Sequence, residues 1–249
     1  MLKETLALYP NSPTLVSIIG SNYFHTELLH LLSNLVFYFL LMPFVFIFDY
    51  LSNKNMLLMN IVLLFVLLPI VSSILNIVIF SELGVNIPSY GFSAITSGVF
   101  GYLAFSLLHY VRDYHDIRFD KGIFQMMWLI LYINLGLISF VYGIYWLGVV
   151  IVFLFILSII NTSRHFNKIF LKMKSTGRIH RTLFFTGFLL CLMAGVQGLF
   201  PETIVIDSTL VNILAHYVGY IFGFLVPAIV SIYVLEKGKN DKLNQNNIE

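Results

Sequence analysis

An all-helical bundle crossing a membrane about seven times is the fold class this sequence predicts, on three observations. Of its 249 residues 59% are apolar and 10% charged, whereas a soluble domain carries about 25% charged residues to cover its surface. The surplus apolar area needs lipid rather than water around it. The apolar residues fall in runs of roughly the 20 residues that a helix needs to cross a hydrocarbon core. The basic residues are confined to the gaps after alternate runs. A net charge of +2 gives no electrostatic footprint for nucleic acid. The one cysteine, Cys191, lies inside an apolar run and is read as a packed, inert thiol.

Seven runs emerge in order, at residues 28–49, 56–80, 91–110, 123–141, 143–160, 182–200 and 209–235. The fourth and fifth are parted only by Tyr142 and Gly143. Before the first, Pro10, Asn11, Pro13 and Gly20 break residues 1–27 into pieces too short for a signal peptide or a spanning helix, so a short polar tail is expected. All Lys and Arg except Lys3 follow runs one, three, five and seven: Lys54; Arg112, Arg118 and Lys121; Arg164, Lys168, Lys172, Lys174, Arg178 and Arg181; Lys237, Lys239 and Lys242. Cytoplasmic loops retain such residues, which predicts an N-terminus outside, a cytoplasmic C-terminus, and an integral protein of a prokaryotic plasma membrane. Between Arg164 and Arg181, basic residues alternate with Ile169, Phe170, Leu171 and Met173. That pattern fits a helix on the inner headgroups and a solvated basic loop equally well. The Asn-rich end, 240–249, reads as a disordered tail.

Polar side chains at membrane depth need partners, so they mark function or helix-to-helix hydrogen bonds. Asn60, Asn76, Asn134 and Gln197 are isolated amides and are read as interhelical bonds. His109, His115, His165 and His180 lie at or beyond the cytoplasmic ends and are read as solvated. His25, His30, Asn34, Ser93 and His216 differ, because all lie near the outer ends of odd-numbered runs. His30 and Asn34 are four apart and share a helix face, about 40° apart. His25 and His30 are five apart, which is not the His-Glu-x-x-His spacing of a zinc helix, and no metal or other cofactor is expected. Ser93 follows Pro88, Ser89, Tyr90 and Gly91 at a helix start, where free backbone N–H groups favour developing negative charge. Helix capping by that serine is the plainer reading. His216 shares a face with Gly219 and Gly223, and the Ser93 helix carries Ala94, Ser97, Gly98 and Gly101. Two such surfaces suit close approach, either as a packing seam around one buried histidine or as a meeting of hydroxyl and imidazole.

Together these residues resemble the rhomboid family of intramembrane serine proteases. His25-x4-His30-x3-Asn34 is similar to the family's His-x4-His-x3-Asn; Gly91-Phe92-Ser93-Ala94 with Gly101 and Tyr102 is similar to its Gly-x-Ser-Gly helix; Ala215-His216-x2-Gly219-x3-Gly223 is similar to the helix of its catalytic histidine. The likeness covers residues 22–112 and 180–235, a rhomboid-like core in a single membrane domain spanning 1–249. Residues 113–179 would be an inserted helix pair with a basic cytoplasmic loop, and 236–249 the tail.

The resemblance implies Ser93 as nucleophile and His216 as general base, without an acidic third member. It implies an oxyanion hole of His30, Asn34 and the Ser93 backbone N–H, supported by His25, Gly91, Gly219 and Gly223. The implied substrates are transmembrane segments of single-pass or polytopic membrane proteins, taken from the bilayer; oligomeric state is left open. Ala94 replaces the usual glycine, and Ser97 stands where a tyrosine often stacks on the imidazole, which leaves Asn212, one turn before His216, as a candidate to position it. The family's usual first helix is missing from the pattern. The alternatives are an inactive rhomboid-like protein that binds transmembrane segments and a small-solute transporter, the latter disfavoured because neither an internal repeat nor a mid-membrane acid is found.

Overall fold

The computed structural model describes residues 2–25, 27–52, 54–114, 121–141, 143, 145–197, 205–206, 209–210 and 213–246. Two short helices, α1 (Leu2–Leu6) and α2 (Leu15–Gly20), and a 3-10 turn at Ser21–Tyr23 precede α3 (Leu28–Ser52). Next, α4 (Lys54–Val62) runs through a wider turn at Leu63–Leu67 into α5 (Leu68–Glu82). The chain continues as α6 (Ser93–Tyr114), α7 (Lys121–Val141), α8 (Tyr145–Ser175), α9 (Arg178–Gln197) and α10 (Ile213–Asn246). The strand pairing among the described residues is small: Val205–Ile206 lies antiparallel to Thr209–Leu210, and Leu8 bridges to Ser89.

Each predicted apolar run contains a helix among the described residues, although Thr209–Leu210 of the last run is strand, and four of those helices are both long and apolar enough to cross a membrane: Leu28–Ser52, Leu57–Glu82, Ser93–Asp113 and Leu214–Ser231. The apolar stretch of α8, Tyr145–Ile160, is shorter, and α9 spends its first turn on Arg178, His180 and Arg181.

Three sequence expectations change or narrow. Residues 2–23 are folded rather than a polar tail. Thr14 caps α2 in a reciprocal box with Ser17, and Leu8 is buried while it exchanges both backbone hydrogen bonds with Ser89. Pro69 has no N–H to give to the carbonyl four residues earlier, and the Tyr23 hydroxyl donates to that carbonyl, of Phe65. Asn22 donates nearby to Pro69 O and Ser73 Oγ, at 3.3 and 2.9 Å. Second, of the two readings left open for the basic segment the helical one matches the backbone: α8 stays helical to Ser175, and a short turn leads into α9. Third, no proline follows Pro227, and α10 remains helical to Asn246 in place of the disordered tail.

The helix α6 forms the centre, with its apolar window wholly buried. Along its length Thr96 Oγ1 reaches Asn34 O, the Phe100 ring meets Phe37, and Tyr110 stacks on Phe48. These pairs ascend together, so α3 and α6 run in the same direction. The α10 contacts ascend too. A Cβ on Gly219 would collide with the Ala94 carbonyl, one on Gly223 with the Gly98 carbonyl, and one on Gly101 with the Tyr220 carbonyl. Only glycine permits backbones this close. The N-terminal ends of α3, α6 and α10 therefore gather at one end of the bundle. The α4–α5 stretch runs oppositely, Asn60 meeting Tyr102 and then Leu64 and Leu68 meeting Gly98.

Candidate functional site

The site begins with the turn that delivers Ser93. Gly91 has φ +136°, a backbone conformation that L side chains rarely adopt. Three bonds hold this turn: Ser89 N–H to Leu8 O at 3.0 Å, Gly91 N–H to Ser21 O at 2.8 Å, and Phe92 N–H to His25 Nε2 at 3.0 Å. The Phe92 carbonyl accepts from Thr96 N–H at 3.0 Å, so Phe92 caps α6 and Ser93 is its first helical residue. The Ser93 N–H thereby belongs to the helix-start donors that have no acceptor within the helix.

Beside Gly91 three polar atoms close on one point. A Cβ built there lies 3.6 Å from His25 Nε2, 3.8 Å from Ser93 Oγ and 3.9 Å from His30 Nε2. The His25 and His30 rings are 5.4 Å apart, centroid to centroid. Asn34 lies one turn along α3, its Nδ2 at 3.1 Å from His30 O and 3.2 Å from His25 Nε2. Because His25 Nε2 accepts the Phe92 N–H, its ring proton resides on Nδ1. Burial, aided by the neighbouring His30, lowers the His25 pKa to about 4, so the ring is a neutral acceptor near pH 7.

His216 is buried on α10, one turn before Gly219. Gly219 lies against Ala94 and Ser97, and the three-residue step back to His216 is about 4.5 Å of helix rise. His216 thus sits at the Ser93 end of the α6–α10 seam. The Ser93 hydroxyl and the imidazole are not hydrogen-bonded to each other in this conformation; such bonds in substrate-free sites often form only on binding. His25, His30, Asn34, Gly91 and Ser93 are brought together, Gly219 and Gly223 form the seam, and Asn212 lies outside the described residues.

Other polar residues depart from the sequence reading. One acid is buried between helices: Asp49 is 3% exposed and accepts from the Tyr102 hydroxyl, which in turn accepts from Asn60 Nδ2 at 2.7 Å. Its position near the end of α3 hid it, and Asn60 was the signal that a partner existed. His109 is buried rather than solvated, with Nε2 2.8 Å from Arg112 Nη2 and Nδ1 3.4 Å from Asp113 Oδ2. His180 meets the Tyr110 hydroxyl at 2.9 Å, while His115 and the His165 side chain lie outside the described residues. Asn134 does bond across helices, donating to Tyr220 Oη at 2.8 Å and Cys191 O at 3.4 Å. No known family model, curated protein or solved structure matches this chain.

Chemically, the cluster offers a serine hydroxyl at a helix start, two imidazoles and an amide around one small space, and a further imidazole on the adjoining helix. Such a set suits attack on a carbonyl with donors ready for the resulting oxyanion.

Proposed function

We propose that this chain is a rhomboid-type intramembrane serine endopeptidase that cleaves transmembrane segments of other membrane proteins. The observation that carries the reading is the convergence of Ser93 Oγ with the His25 and His30 imidazoles beside Gly91, on a helix packed backbone-to-backbone against the one bearing His216. The basic-residue pattern supports seven spans, with this end of the bundle outside and the C-terminus in the cytoplasm.

In the proposed reaction His216 removes the Ser93 proton as Oγ attacks the scissile carbonyl carbon. The oxyanion is held by the Ser93 N–H, His30 and the Asn34 amide, which turns from its His25 and His30 partners toward it. Each preorganised donor contributes on the order of 3 kcal/mol by comparison with other hydrolases. The imidazolium then protonates the leaving amine as the C–N bond breaks, and water, activated by the same histidine, hydrolyses the ester on Ser93. The substrate helix must unwind to expose its carbonyl, since helical carbonyls are already hydrogen-bonded.

The test is cleavage of a panel of single-pass substrates in proteoliposomes. Wild type should release products, while Ser93→Ala and His216→Ala should each lose at least about 10³-fold in rate. Products formed equally by Ser93→Ala would refute the proposal. The departures at Ala94 and Ser97 favour a second reading, an inactive rhomboid-like protein that binds transmembrane segments. That reading predicts co-purification of substrate without cleavage by wild type.

A further inference from the structure

With serine at position 97, no aromatic ring projects from that turn of α6 to hold the His216 imidazole. The structure supplies another device. Tyr220 lies four residues after His216, on the same face of α10 within about 40°. Its hydroxyl accepts from Asn134 Nδ2 at 2.8 Å, and the same amide donates to Cys191 O at 3.4 Å. Asn134 belongs to α7, the first helix of the inserted pair, and Cys191 to α9. Asn134 is 1% exposed and Tyr220 6%. The Tyr220 backbone is also pressed against α6, where its carbonyl leaves no space for a side chain on Gly101, and its ring stacks on Phe224. One residue is thus fixed to α6 through its main chain and to α7 through its hydroxyl, one turn from the imidazole.

We propose that Asn134 and Tyr220 are positioning residues: their hydrogen bond sets the rotation of α10 and thereby aims His216 at Ser93. The inserted pair is then a working part of the site, a brace on α10 through the Asn134–Tyr220 bond. This inference rests on the endopeptidase reading. The glycine seam fixes how closely α6 and α10 approach, but glycines have no side chains to lock rotation about the α10 axis. A directional bond about two turns into α10 does so, and in a buried setting an unpaired amide or hydroxyl costs more than the loss of both partners.

The experiment measures the rate of fluorophosphonate labelling of Ser93 against pH, together with thermal unfolding in the same detergent, for wild type, Tyr220→Phe, Asn134→Leu and the double variant. Each single variant should label about tenfold or more slowly, with a displaced pH midpoint, and should melt lower. The double variant should recover much of the melting temperature, because no buried group is left unpaired, yet label as slowly as the singles. Labelling rates and pH midpoints within twofold of wild type in all three variants would overturn the positioning role, as would rate losses that multiply in the double variant. If wild type itself never labels, the endopeptidase reading fails and this inference falls with it. Normal wild-type labelling with unaltered variants removes the inference alone.

Discussion

A methyl group on Gly91 would enter the space on which Ser93 Oγ, His25 Nε2 and His30 Nε2 close, and would do so at a φ of +136° that alanine resists. Gly91→Ala is therefore expected to lower cleavage about 10-fold or more, from turn strain of order 1–3 kcal/mol that shifts the backbone delivering the nucleophile. Circular dichroism should still report the wild-type helix content; near-normal cleavage would contradict the strain expected at this backbone conformation. His25 makes a separate claim. Its folded pKa of about 4 lies below the ordinary value of 6.5, so the unfolded chain binds the extra proton first. The contribution to stability is complete above about pH 6.5 and is lost as pH falls through about 4. Melting temperature in detergent should decline over that window. The His25→Gln variant, which has no titrating ring, should show a shallower decline there, and equal slopes for the two proteins would rule out the assignment.

At the level of helices, the fold depends on how closely α10 approaches α6. Interior glycine normally costs a helix about 1 kcal/mol relative to alanine, so replacement should stabilise wherever space allows. Gly136 on α7 meets only the Ile151 Cγ2 methyl, 3.4 Å from the added carbon. Gly223 faces the Gly98 backbone, which cannot yield as a side-chain tip does. Thermal unfolding should therefore show Gly136→Ala at or slightly above wild type and Gly223→Ala below it by about 1–3 kcal/mol of overpacking. The same order is expected for peptidase activity, because separation of these helices withdraws His216 from Ser93. A Gly223→Ala protein as stable and active as Gly136→Ala would show that the seam does not carry the site.

For the whole molecule, the sequence was most readable where the controlling distances are short along the chain. The four-residue spacing of His30 and Asn34, the glycine repeat after His216, and the turn before Ser93 each express one helix face or one helix start. Apolar runs likewise marked the helices, although the crossing count does not follow from helicity alone. Pairings between distant segments were not readable: Asp49 with Tyr102, the folded N-terminal segment on α5, and Asn134 with Tyr220, which are 86 residues apart. An isolated amide shows that a partner is needed without saying which helix supplies it. Direction in the membrane can be tested with single cysteines, since Cys191 is buried. Leu83→Cys, in the exposed turn after α5, should react with an impermeant maleimide in intact cells, and Thr176→Cys, between α8 and α9, only after permeabilisation. The opposite pattern would put Ser93 toward the cytoplasm. The most direct measurement of the central claim is mass-spectrometric mapping of a fluorophosphonate adduct on purified protein. Wild type is predicted to carry the adduct on Ser93, with labelling lost in His216→Ala; an adduct that persists undiminished in His216→Ala, or no adduct on wild-type Ser93, would contradict a serine activated by that imidazole.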